Sequence, residues 1–151
     1  MTGRLEALRI ACGIENRGIV LYTRAAKLAK SDEMRALLAS LAEDEGTHLK
    51  QFLRMCARYC PEAEASGEED ALCSAAAADI AFPGGLFAVA AGGYLDDEKK
   101  LIEYAAECEK NSIRYYSELL NETYGDDMKR TLSDIIAQEQ GHLAQLERRI
   151  R

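Results

Sequence analysis

The chain has 151 residues, 48% apolar and 30% charged, which suits one compact domain with a single hydrophobic core and excludes a disordered polymer. Its formal net charge of −7 comes without a Lys/Arg cluster, so neither nucleic acid nor an anionic membrane is an expected partner. The five cysteines (Cys12, Cys56, Cys60, Cys73 and Cys108) are an odd set with no CxxC, and the first residues lack a basic-then-apolar leader, so a reducing, cytoplasmic setting is expected.

The first predicted helix runs from about Gly3 to Lys30, with Leu5, Leu8, Cys12, Glu15, Ile19, Tyr22, Ala26 and Ala29 on one seam. The second, from Asp32 to about Tyr59, places Met34, Leu38, Leu41, Glu45, His48, Phe52 and Met55 on its seam, and Ser31 can cap it. From position 60 to 95 runs a long connection with Pro61, Pro83, Gly84 and Gly85. Its alanine-rich part, interrupted by Asp79, Pro83 and several glycines, is a poor membrane span. A short helix around Leu86 to Ala91 is expected there, with side chains small enough to lie close to the bundle or to a second subunit. The third main helix runs from Asp97 to about Tyr124, with Asp96 as its cap, Asp97 and Glu98 complementing its dipole, and Ile102, Ala105, Glu109, Ser112, Tyr116 and Leu119 on its seam. Gly125 ends it, and the fourth, from Asp126 to Ile150, carries Met128, Leu132, Ile135, Glu139, His142 and Leu146. At 1.5 Å per residue each helix is about 40 Å long.

Apolar positions spaced by three and four describe helices packed nearly parallel to their neighbours. The turns at Ser31 and Gly125 are short, so each flanking pair is antiparallel. The long connection can return along the bundle and set the second and third main helices parallel. The expected fold is therefore all-α: a ferritin-like four-helix bundle in one domain spanning 1–151. It consists of a helical hairpin at 3–59, a crossover at 60–95 and a second hairpin at 96–150.

Sliding the chain against itself by 94 residues aligns the hairpins without a gap. Glu15 falls on Glu109, Tyr22 on Tyr116, Leu38 on Leu132, Glu45 on Glu139 and His48 on His142. Two hairpins of one design imply a pseudo-two-fold axis, and a site on that axis receives the same residue types from both sides.

The chain has only two histidines, and each closes an ExxH: Glu45 with His48, and Glu139 with His142. A spacing of three puts both side chains on one helix face, about 5–6 Å apart at Cβ. Glu15 and Glu109 each precede the ExxH glutamate by 30 residues, and the hairpin returns that distance to the same level. Four carboxylates and two imidazoles thus converge on seams otherwise apolar, with no seam Lys or Arg nearby. A lone ExxH usually means only a solvated helix face. Four buried carboxylates, however, would cost several kcal/mol each unless protonated or bound to cations. One Glu from each of two helices and Glu-x-x-His from the other two is the pattern of di-iron and di-manganese carboxylate sites. Glu15, Glu45, His48, Glu109, Glu139 and His142 are therefore the expected ligands of two metal ions, iron first and manganese as the alternative.

Tyr22 and Tyr116 lie two turns after Glu15 and Glu109, where their hydroxyls can hydrogen-bond ligand carboxylates. Cys12, one turn before Glu15, reads as a small core residue, because its counterpart is Ala106. Cys56 and Cys60 read as plain thiols, their spacing matching no metal-ligand motif.

With the doubled Glu…Tyr and ExxH set at one spacing, the chain resembles a rubrerythrin-type member of the ferritin-like superfamily across both hairpins. The resemblance implies a carboxylate-bridged di-iron centre that reacts with hydrogen peroxide or dioxygen in oxidative-stress defence. In that scheme Glu45 and Glu139 bridge, Glu15 and Glu109 are terminal, and His48 and His142 each ligate one ion. It also implies a homodimer or higher homo-oligomer. Because the sequence contains no paired CxxC, electrons are expected from an external donor such as a rubredoxin-like protein. Ala106 and Ser112, one turn from Glu109, carry no acid, which brings the ligand set closer to those of bacterioferritin and manganese catalase. The alternatives are accordingly an iron-storage ferroxidase and a dimanganese catalase.

Overall fold

A computed structural model describes residues 3–59, 67–83, 97–123 and 125–150. Five helices occupy them: α1 (Arg4–Leu28), α2 (Asp32–Tyr59), α3 (Gly67–Ala81), α4 (Glu98–Glu122) and α5 (Asp126–Ile150). The four long helices agree with the seam pattern, with α1 and α4 a residue or two shorter than expected at their ends. The expected helix around Leu86 to Ala91, the Asp96 cap and Tyr124 lie outside the described residues. No helix among the described residues is long and apolar enough to cross a membrane.

Local chemistry sets the helix ends. Ser31 Oγ accepts a hydrogen bond from Met34 N at 3.1 Å and so caps α2. Asp97 caps α4 by accepting from Lys100 N at 3.2 Å. After α4 the chain reverses through Gly125, whose φ of +97° lies in the left-handed region that a glycine adopts without a Cβ clash.

In cross-section the long helices form a square. α1 packs on α2 and on α4, α5 packs on α4 and on α2, and α3 lies outside against α1 and α4. Residue pairing supplies the directions. Tyr22 meets Glu109 while Tyr116 meets Glu15, so α1 and α4 run antiparallel. Asp44 meets His142 while His48 meets Gln138, so α2 and α5 do too. It follows that α2 and α4 are parallel, as the crossover required.

α3 was not legible as a separate helix, and it changes what is buried. Its alanines favour helix, and Pro83 stops its continuation. Ala77, Ala78 and Ala81 are fully buried. A Cβ added at Gly13 of α1 would stand 2.9 Å from the Ala77 Cβ, so the two helices cross closely because both residues are small. Arg17 donates to Ser74 O at 3.2 Å and to Ser74 Oγ at 2.9 Å, and Asn111 Nδ2 donates to Ala81 O at 3.2 Å. Under this cover α1 buries a second row (Ala7, Ile10, Ala11, Ile14, Gly18, Leu21 and Ala25), and α4 buries Leu101, Tyr104 and Cys108. Leu5, Ile19 and Met128, assigned to the seams, are only half-buried.

Candidate metal centre

At the level where the hairpins match, the core stops being apolar. Glu15 and His48 are fully buried, and Glu45, Glu109, Glu139 and His142 are at most 4% exposed. The helix period forces this: each occupies a seam position that an apolar residue holds one turn above or below. All six expected residues are therefore brought together.

They form two overlapping groups. Glu15, Glu45, His48 and Glu139 offer donor atoms within 4.8 Å of one another, and so do Glu45, Glu109, Glu139 and His142. Glu45 and Glu139 belong to both. Glu139 has one oxygen for each imidazole: Oε1 lies 2.7 Å from His48 Nδ1, and Oε2 lies 3.5 Å from His142 Nδ1. His142 Nδ1 is also 3.2 Å from Glu45 Oε1 and 3.6 Å from Glu109 Oε1, while His48 Nδ1 is 3.6 Å from Glu15 Oε1. The two rings stack with centroids 5.9 Å apart.

The surrounding hydrogen bonds select which atoms face inward. His48 Nε2 pairs with Gln138 Oε1 at 2.6 Å and His142 Nε2 with Asp44 Oδ2 at 3.0 Å, which leaves both Nδ1 atoms toward the carboxylates. The Tyr22 hydroxyl donates to Glu109 Oε1 at 2.7 Å, and the Tyr116 hydroxyl donates to Glu15 Oε1 at 2.8 Å. Each tyrosine thus serves the carboxylate of the opposite hairpin. Shifting by 94 residues exchanges the two tyrosine contacts and likewise the two histidine contacts, which is the pseudo-two-fold axis in hydrogen bonds. Sequence reasoning missed Asp44 and Gln138. Each directly precedes an ExxH glutamate, but nothing in the helical period marks a position just off the seam.

Several inward atoms are left without an aligned hydrogen bond: Glu15 Oε2, Glu45 Oε1, Glu109 Oε2, both Glu139 oxygens and the two Nδ1 atoms. All six residues contribute. The short His48–Glu139 approach is an ion-pair distance without hydrogen-bond alignment. Buried polar atoms pointing at one another and unsatisfied carry a heavy desolvation cost. Burial, then the neighbouring Glu139 charge, pushes the Glu15 carboxyl well above its ordinary range and Glu109 up to about 8. Burial and then Glu15 raise Glu45 similarly. Burial disfavours charge on both imidazoles, yet the surrounding carboxylates outweigh it and raise His48 and His142. Left to itself, the cluster takes up protons to offset its charge. Hard oxygen donors with two imidazoles in this overlap fit a pair of cations that would do the same, such as iron.

A small cavity of about 10 Å³, near the minimum for one water, lies between α1 and α4 and reaches Glu45 and Glu109 past Gly18, Tyr22, Phe82 and Ser112. A Cβ at Gly18 would stand 3.0 Å from Glu45 Oε2, so the missing side chain leaves room for that carboxylate. Ser112, the counterpart of Gly18, turns its hydroxyl to Cys108 O at 2.9 Å.

Among solved structures, a hypothetical protein from Pyrococcus furiosus superposes with a TM-score of 0.76 over 98% of this chain and 88% of that one. At 19% identity it bears on the fold alone. No curated protein sequence matches the chain. The family model for rubrerythrin matches residues 6–150, both hairpins and the crossover together, and the chain therefore belongs to the rubrerythrin family.

Proposed function

We propose that the chain is a di-iron oxidoreductase that reduces hydrogen peroxide, with dioxygen the slower oxidant, using electrons from a separate donor such as a rubredoxin-like protein. The observation that carries this reading is the overlap of two buried donor groups in Glu45 and Glu139, supported by family membership. These two glutamates would be shared by both ions, with Glu15 and His48 completing the ligands of one and Glu109 and His142 those of the other. These residues would hold two iron ions, which when bound would supply the two electrons that peroxide reduction needs.

The protein's own groups prepare the site for that task. Gln138 and Asp44 hold the imidazoles so that Nδ1 is the ligating nitrogen. Tyr116 and Tyr22 each engage one oxygen of a terminal carboxylate and leave its Oε2 for the metal. The small cavity beside Gly18 and Ser112 reaches Glu45 and Glu109, where a small oxidant would meet the centre. A homo-oligomer completes the proposal.

The test is iron stoichiometry and reactivity of the anaerobically reduced protein. Two irons per chain, rapid oxidation by peroxide and much slower oxidation by dioxygen support the reading; indifference to peroxide sinks it. The double variant E45Q/E139Q is expected to bind neither ion. The absence of an acid at Ser112 favours, as a second reading, a ferroxidase of iron storage or a dimanganese catalase. Uptake of many irons per chain would select the first, and manganese in protein from its native source the second.

A further inference from the structure

The two halves of the candidate centre are not equivalent. Behind the His142 ring stands a carboxylate, with Asp44 Oδ2 3.0 Å from His142 Nε2. Behind the His48 ring stands an amide, with Gln138 Oε1 2.6 Å from His48 Nε2. The 94-residue repeat sets Asp44 on Gln138, so it breaks at the two groups that touch the outer nitrogens. With Nδ1 as the ligating nitrogen, Nε2 carries the proton and donates outward in both halves. Toward a carboxylate that bond is charge-assisted and roughly twice as strong as toward an amide, and it raises the basicity of the inner nitrogen. Asp44 is half-exposed, and no lysine or arginine among the described residues pairs with it, so its charge is directed at the ring. The inner spacing differs in the same sense. Donor atoms about 2.1 Å from one ion stand about 3.0–3.4 Å apart. His142 Nδ1 already lies 3.2 Å from Glu45 Oε1, 3.5 Å from Glu139 Oε2 and 3.6 Å from Glu109 Oε1. His48 Nδ1 instead stands 2.7 Å from Glu139 Oε1, a contact that has to open before an ion fits between them.

We propose that Asp44 makes the two metal positions unequal: the ion on His142 binds first, and about 10–100-fold more tightly than the ion on His48. The inference rests on the two-ion reading proposed above and adds an order to it. Asp44 touches neither ion; it acts through the His142 ring and is a positioning residue. When metal is scarce the chain then holds one ion, on His142, and occupancy of the His48 position decides whether the centre is complete.

The experiment adds zinc(II) in steps to the full chain, freed of metal by a chelator and isotopically labelled at its histidine nitrogens, and follows the rings by NMR. The chain has only two histidines, so each ring is seen separately, and H48Q, which keeps one of them, assigns the signals. One equivalent of zinc should move the His142 Nδ1 signal to its metal-bound position and leave the His48 ring unchanged; the second equivalent should move His48. D44N, which turns the carboxylate into an amide, should weaken the first step by about 10-fold and spare the second, so that both rings move together. Q138E, at an exposed position, should bring the steps together from the other side by tightening the second. Equal movement of both rings in the native chain, movement of His48 first, or an order unchanged by both D44N and Q138E overturns the proposal and leaves the two-ion reading standing. A chain that takes up fewer than two zinc ions overturns that reading, and this proposal with it.

Discussion

Removing metal from a cluster of buried acids should make the protein less stable as pH rises. After chelation, Glu109 binds a proton up to about pH 8, whereas in the unfolded chain it releases one near 4.5. A folded-state value above the unfolded one contributes stability that is complete below 4.5 and is lost as pH climbs to about 8. Each pH unit in that window costs about 1.4 kcal/mol, so Glu109 alone removes roughly 5 kcal/mol, shared with the neighbours it titrates with. Glu15, Glu45, His48 and His142 are raised as well and act in the same direction. Such a loss is a large part of a typical domain's 5–15 kcal/mol. The assay is urea unfolding of chelated protein at pH 5, 6, 7 and 8, with and without a divalent cation. Chelated protein should weaken steadily across the series, and the stabilisation on adding cation should grow with pH. E109Q, which cannot ionise there, should flatten the slope by about 1.4 kcal/mol per pH unit. A chelated protein equally stable at pH 5 and 8, or an E109Q slope equal to the native one, would refute the reasoning.

Tyr22→Phe and Tyr116→Phe each remove one hydrogen bond to a ligand carboxylate and should weaken metal binding by about 10–100-fold, read by competition with a chromophoric chelator. Asp44→Ala frees the His142 ring and should weaken binding over the same range, about 10–100-fold, with a change in the metal-centre spectrum that Asp44→Asn partly reverses. Gly13→Ala sets a methyl against Ala77 and should destabilise by about 1–3 kcal/mol in denaturant melts, against the helix propensity of alanine. Gly18→Ala meets only the end of a carboxylate, so the fold should hold or gain up to about 1 kcal/mol while metal affinity falls.

The split between what was readable and what was not follows the range of the forces involved. The four long helices, their antiparallel pairing and the six clustered residues were legible, because a 3.6-residue period, short turns and a gapless repeat are local or self-referential signals. An acid or histidine on an apolar seam is conspicuous in one dimension because burying it is costly in three. α3 was not legible: a run of alanines has no polar face to mark its orientation, and its place against Gly13 depends on two small residues 64 positions apart meeting in space. The tyrosines were foreseen near the ligands, but only the antiparallel packing of α1 on α4 decided that each serves the opposite hairpin's carboxylate. The roles of Asp44 and Gln138 likewise depend on how neighbouring helices are rotated. Sequence alone therefore determined which residues share a level of the bundle. Tertiary structure decided which atoms face one another, since hydrogen bonds between helices act over distances that no periodicity records.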